Sequence, residues 1–323
     1  MKLISKTKIF LSIFILLISF NAFSQDDEDE ETIRPGRKSK FLTGFYVGSY
    51  FANKYSASTY NGYGFDLEGN RYSFENSLMK QKIYYEYGPG RGNFDYVAEA
   101  LVVDQGQWDF IESDMPVNMH YTPAIMLGFN FKVPVDKTSA IIFNLNASKL
   151  NVEGNFTITT RKVPSINPGI NNNIQSFPIR GSEQRLLFQL GFQKLIGELE
   201  KLNFFVEAGF VGTLAKFDRN MIYINNLNID LTYYLNQTQY AAPGPARKPV
   251  GFGVGAYAGL GANININPKF TLQLLYTPSY EKVNIGTNPT LKLQNALGLR
   301  VYYNFLSPKP KTDPSTEPNV IQD

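Results

Sequence analysis

The chain has no cysteine among its 323 residues, which excludes a disulfide framework, a thiol nucleophile and any cysteine-based metal site. It has one histidine, His120, and one tryptophan, Trp108. A single histidine with no acid partner or nucleophile in a recognisable arrangement argues against a Ser-His-Asp triad. Charged residues make up only 18% of the chain, below the roughly 25% usual in soluble domains. Beyond the first segment no stretch approaches the roughly 20 apolar residues of a membrane-spanning helix, and the mean hydropathy of −0.22 agrees. A real charge imbalance is missing too. Lys2, Lys6 and Lys8 account for the whole formal charge of +3, and the rest carries 28 acids and as many bases. The basic pI therefore gives no reason to expect nucleic acid as a partner.

Aromatic residues and glycine are abundant, with 20 Tyr, 25 Phe and 26 Gly. Such a composition with few charges suits a sheet that meets lipid on one face and polar groups on the other. The chain opens with the basic residues Lys2, Lys6 and Lys8, the apolar run Ile9 to Phe20, and Asn21-Ala22-Phe23-Ser24-Gln25. Residues 1–24 therefore read as a signal peptide with small residues at −3 and −1. Residues 25–39 read as a periplasmic tail, acidic from Asp26 to Glu31 and then basic at Arg34, Arg37 and Lys38, with Lys40 directly after it. Contiguous carboxylates without a Gly turn do not make a calcium loop. The basic residues are placed to touch lipid phosphates.

The last segment has the clearest pattern. Leu291, Leu293, Leu297, Leu299, Val301, Tyr303 and Phe305 share one face, with Asn295 the polar exception. Lys292, Gln294, Ala296, Gly298, Arg300, Tyr302 and Asn304 share the other. Such an alternation exceeds the 9–11 residues a tilted strand needs to cross a bilayer. Phe270 to Glu281 and Val250 to Ile266 follow the same rule, the latter with glycines on its second face that make room inside a narrow lumen. Similar strands run near 203–225, 183–195, 139–160, 121–133 and 40–55, eight in all. The sequence thus predicts an all-β fold, a transmembrane antiparallel up-and-down barrel over residues 40–306. Connections alternate between short turns and longer loops, the outer-membrane pattern with both termini in the periplasm. The exception is the brief outer loop Gly286–Thr290. Pairing Glu281 with Lys292 sets Gln273 opposite Arg300, so the less apolar faces meet. A soluble β-sandwich is the structural alternative.

The signal-peptide end Asn21 to Gln25 and the final strand Gly298-Leu299-Arg300-Val301-Tyr302-Tyr303-Asn304-Phe305 resemble the small outer-membrane β-barrel families of Bacteroidota. The resemblance covers the barrel strands and not the first loop, and implies location in the cell outer membrane more than an activity. The chain departs from the pattern in the Pro-rich tail, residues 307–323, that follows the usual terminal aromatic.

An eight-stranded barrel has room only for side chains inside. Its inward set includes Tyr46, Tyr50, Arg185, Gln189, Glu207, Tyr257, Gln273, Lys292, Arg300 and Tyr302. Glu207 is expected to meet Arg300, and Glu281 to pair with Lys292 nearer the loop end, as buried charges that need partners. Gly88-Pro89-Gly90-Arg91-Gly92 lacks the Gly-Lys-Ser/Thr ending of a phosphate loop and reads as a bend. The long first extracellular loop, residues 56–120, is too aromatic for simple disorder. Ser73–Tyr87 and Asn93–Val103 are expected as short helices over the mouth. Tyr84, Tyr85, Tyr87, Trp108 and Phe110 are its candidate recognition surface, with a self-packed plug as the equal alternative. The functional expectation is a non-enzymatic barrel without cofactor or metal, surrounded by outer-membrane lipid. Its loops would bind an external ligand or a protein partner, as in an accessory subunit of an envelope complex. The alternative is a narrow pore or small-solute transporter. A membrane-embedded hydrolase ranks last, because no nucleophile–base pair can be named.

Overall fold

The computed structural model of the protein describes residues 41–65, 69–85, 87–88, 91–161, 173–197, 202–232, 250–267, 269–285 and 290–304. The signal segment, the acidic and basic runs before the first strand, the loop Gly286–Thr290 apart from its last residue, and the tail from Phe305 onward lie outside them.

Eight strands form the body: β1 (Leu42–Phe51), β2 (Ala124–Pro134), β3 (Ser139–Thr160), β4 (Asn173–Ile196), β5 (Leu202–Ile224), β6 (Val250–Asn265), β7 (Phe270–Lys282) and β8 (Leu291–Asn304). Each pairs antiparallel with its neighbours in sequence, and β8 pairs with β1 from Asn304↔Leu42 to Asn295↔Phe51. The ring of pairings is therefore complete, and the fold is an up-and-down barrel with no open edge at its waist. The β7–β8 register includes Glu281↔Lys292, Thr277↔Ala296 and Gln273↔Arg300.

Around this waist apolar side chains point outward, among them Phe45, Leu127, Phe129, Phe143, Leu190, Phe210, Phe252 and Leu297, while Asn144, Gln189, Glu207, Gln273 and Arg300 are buried inside. Exposed apolar surface on this scale has no place in water. It makes the belt a lipid-facing surface, and closure leaves the waist no unpaired strand edge. The chain is an outer-membrane-type transmembrane β-barrel.

Three strands are about twice as long as a bilayer needs. β3, β4 and β5 contain 22, 24 and 23 residues, against 10 in β1 and 14 in β8. Midway along them the chemistry of the two faces reverses. Outward residues of β3 run Ile141, Phe143, Leu145, Ala147 and then Lys149, Asn151, Glu153, Asn155; inward ones run Asn144, Asn146, Ser148 and then Leu150, Val152, Phe156, Ile158. The reversal falls on the same row in all three strands, because Lys149 pairs with Gln184 and Gln184 with Lys216. That row marks the end of the lipid belt. Beyond it water lies outside, so the apolar face turns in and needs something to pack against.

The first connection supplies it. After an N-cap at Asn53 and a single helical turn (Lys54–Ala57), the segment places Tyr60, Tyr63, Met79, Ile83, Val97 and Leu101 against Leu150, Val152, Phe156, Ile179, Phe217 and Ile222. Its two helices are α1 (Leu78–Tyr84), capped by the Ser77 hydroxyl, and α2 (Asn93–Leu101). α1 begins later than the sequence suggested because Ser77 takes the capping position. The projecting sheet is also protected at its edges, as exposed strands must be. Trp108–Asp109 and His120–Tyr121 pair with β3, and Leu227–Asp230 folds back on β5.

One sequence expectation changes here. β4 begins at Asn173 rather than near 183, so much of the expected loop Arg161–Ser182 is strand. Pro178 is tolerated because at that level β4 pairs only with β3; pairing to β5 starts at Ile179. β5 contains a bulge at Asp218, where Glu183 faces Phe217 and Ser182 faces Arg219. The extra residue switches the inward parity from Phe217 to Asn220.

Helix α2 ends in a Schellman motif, with Val103 N–H donating to the Ala98 carbonyl and Val102 N–H to that of Glu99, each at 3.1 Å. Its left-handed position is occupied by Val102, at φ +56° and 77% exposed. A β-branched residue is costly there, by roughly 1–2 kcal/mol. Val102→Gly is expected to stabilise the lobe by about 1 kcal/mol, read as a higher urea midpoint of Trp108 fluorescence. An unchanged or lower midpoint would show that the position is not strained.

Candidate functional site

The lumen is crossed by two layers of charged side chains. In the layer nearer the short turns, Arg300 holds Glu207 with both terminal nitrogens, at 3.1 and 3.3 Å. Gln193 donates to the same carboxylate at 3.2 Å, and Gln273 accepts from Arg300 at 3.2 Å. The space is made by glycine: a Cβ on Gly259 would collide with the Glu207 side chain, and one on Gly48 or Gly298 with the Tyr46 hydroxyl.

The second layer lies at the end of the lipid belt and centres on Arg185. Its Nε donates to Glu183 at 2.6 Å, Nη1 to the Tyr50 hydroxyl at 3.1 Å, and Nη2 to the Ser56 hydroxyl at 3.1 Å. Tyr50 passes the chain on to Glu281 at 3.2 Å, which also accepts from Thr213 and Ser279. Glu183 accepts from Tyr60 at 3.0 Å and Tyr121 at 2.9 Å. Arg185 and Glu183 are fully buried. One guanidinium thus ties β1 and β4 to the folded first connection, and through Tyr50 to β7. Between the two layers, a cavity lined by Tyr46, Asn146, Gln189 and Arg300 measures only about 10 Å³. That is the space of about one water molecule.

The structure brings Glu207 to Arg300 and builds Arg185 and Glu281 into one network. It corrects the Glu281–Lys292 pair. The two face each other in register, but the Lys292 ammonium lies 4.4 Å over the Tyr55 ring while hydroxyls take the Glu281 carboxylate. Three neutral donors satisfy a buried carboxylate, and the lysine side chain is half-buried against the Tyr55 ring. Sequence reasoning missed Glu183, although it stands two residues from Arg185 and so shares its face. It also missed Tyr60 and Tyr121, whose contact with Glu183 depends on how the long connection folds.

The proposed aromatic surface is corrected as well. Trp108 and Phe110 are buried, and Tyr84 is partly buried, stacked against Trp108 at 4.9 Å and Phe94 at 5.8 Å. These rings form the lobe's own core, because the inward apolar face of β3 and β4 must be covered. Burial pushes the Tyr84 phenol up to about 12, against the lowering effect of the hydrogen bond from Phe110 N–H. Tyr85 alone of the set is exposed, at 57%, and the Tyr87 side chain lies outside the described residues. His120 is exposed, with Nδ1 3.1 Å from the Asn118 carbonyl oxygen.

No protein-family model and no curated protein matches the chain. Among solved structures, neisserial surface protein A is similar at 7% identity and a TM-score of 0.37, over 82% of this chain and 96% of that one. The N-terminal β-barrel domain of OprF from Pseudomonas aeruginosa gives 9% and 0.34, over 83% and 98%. Ail, the attachment invasion locus protein of Yersinia pestis, solved with the heparin analogue sucrose octasulfate, gives 10% and 0.33, over 83% and 98%. Likenesses this distant carry no argument, and the barrel assignment rests on strand pairing and the apolar belt.

Removing one partner of a buried ion pair leaves an uncompensated charge. Arg185→Leu is therefore expected to destabilise the protein by roughly 3–5 kcal/mol in urea unfolding. The double variant Glu183→Gln/Arg185→Leu should recover a large part of that loss. Equal losses in single and double variants would show that the pair is not coupled.

Proposed function

We propose that this chain is a non-enzymatic outer-membrane anchor that displays a rigid recognition lobe and binds a protein partner of the envelope or an external ligand through it. In this reading the segment Met1–Ser24 directs export, both termini face the periplasm, and the long first connection with the projecting halves of β3–β5 faces outward. The chain is of the Bacteroidota type of small barrel, works without cofactor, and does not engage nucleic acid.

The observation that carries the reading is the reversal of the two faces of β3–β5 at one row. A chain that needed only to cross the membrane has no use for strands of this length or for a second apolar core beyond the lipid. The lumen favours the same reading over a pore, because its two charged layers enclose a cavity of only about 10 Å³. Recognition by this lobe would use its outer surface, since Tyr84, Trp108 and Phe110 are occupied inside it. Exposed apolar side chains there include Val117 at 83%, Val102 at 77%, Tyr85 at 57% and Ile111 at 49%.

Deleting the loop would strip Glu183 and Arg185 of partners and expose the inner face of β3. The test is therefore a surface variant, Tyr85→Ser/Ile111→Ser/Val117→Ser, compared with wild type by cross-linking and purification from envelopes in mild detergent. Wild type is expected to carry one protein in fixed ratio and the variant to lose it, with both proteins silent in planar bilayers. An identical partner profile, or steady conductance by wild type, contradicts the proposal.

A further inference from the structure

The short-turn end of the lumen opens into a cavity of about 190 Å³, walled by Leu42, Lys132, Lys137, Gln193, Asn263 and Tyr302 among others. Its lining carries two ammonium groups, Lys132 and Lys137, against one carboxylate, Asp136. Lys132 points inward from β2 and donates to the Gln193 side-chain oxygen at 2.6 Å, with its ammonium 5.8 Å from the Tyr302 ring centre. Both nearby acids are committed elsewhere. Glu207 is held by Arg300 and Gln193. Asp136 folds back onto its own turn, accepting from Thr138 N–H and Ser139 N–H at 2.7 Å each. Lys194 binds the hydroxyls of Thr138 and Ser139 at the rim. The Arg300–Glu207 pair cancels itself, so Lys132 is left with a neutral amide, and Lys137 adds a second cation to the lining.

An unused donor accompanies the surplus charge. The Tyr302 hydroxyl is buried without a hydrogen-bond partner on a side chain only 1% exposed. A buried donor left without a partner costs the full desolvation of the group, and a walled cleft with surplus positive charge concentrates anions. We propose that this vestibule is a binding site for a small soluble oxyanion, a carboxylate or phosphate, held by the Lys132 ammonium and the Tyr302 hydroxyl. Lys137 at the mouth draws the anion in. The inference does not depend on what the lobe at the other end recognises.

The experiment uses the full-length protein in detergent, titrated with sodium phosphate and with sodium acetate, and with chloride as control, all at constant ionic strength. Heat released on binding and the thermal unfolding midpoint are followed together. At least one of the oxyanions is expected to bind saturably and raise the midpoint, and chloride to do neither. Tyr302→Phe, which keeps the ring, should weaken binding about tenfold, the value of roughly one hydrogen bond to a charged group. Lys132→Met should abolish binding and raise the midpoint of the anion-free protein, since a cation without a counter-charge is removed. Folding of each variant is checked by its slower migration after heating. No saturable response in wild type, or the same response in wild type and both folded variants, overturns the site.

Discussion

A β-strand presents alternate side chains to opposite sides, so a strand that leaves the membrane must exchange the chemistry of its two faces at the boundary. Most of the structure follows from that constraint. Below the row Lys149–Gln184–Lys216 the outside is lipid and the inside polar; above it the outside is water and the inside apolar. The upper inside face has no lipid to cover it. The first connection folds into it, and helices α1 and α2, the Tyr84–Trp108–Phe94 stack and the covering strands are the means of doing so.

Arg185 sits where the two regimes meet. A charge there is expensive unless every nitrogen is engaged, and Glu183, Tyr50 and Ser56 engage them all. The same contacts cross the lumen and fix the position of the first connection, because Ser56, Tyr60 and Tyr121 come from the connection and Glu183, Tyr50 and Arg185 from the wall. The Glu207–Arg300 layer repeats the principle lower down with partners drawn only from strands.

Much of the barrel was legible in the sequence because it is local and periodic. The final hairpin's register could be read from the need for like faces to meet, and Glu207 and Arg300 from inward parity. The reversal on β3 was also written in plain alternation, as Leu150 and Val152 against Lys149 and Asn151. It is hard to read there because a single alternation does not say which face meets lipid until the membrane boundary is known. The true length of β4 was hidden by Pro178 and Gly181, residues that weaken a strand unless its pairing is known. The fate of Tyr84, Trp108 and Phe110 was illegible for a different reason. An aromatic cluster looks alike in sequence whether it faces a partner or its own chain, and only the long-range contacts with Phe156 and the end of β3 decide it.

The central claim is that the first connection is a packed part of the fold and not a loose loop. Amide hydrogen exchange of the protein in lipid bilayers tests it most directly. Amides of α1, α2 and the Leu150–Ile158 stretch of β3 should exchange within about an order of magnitude of those in β7 and β8, as members of one cooperative unit. Rapid exchange across α1 and α2, with the waist of the barrel still protected, would contradict the account.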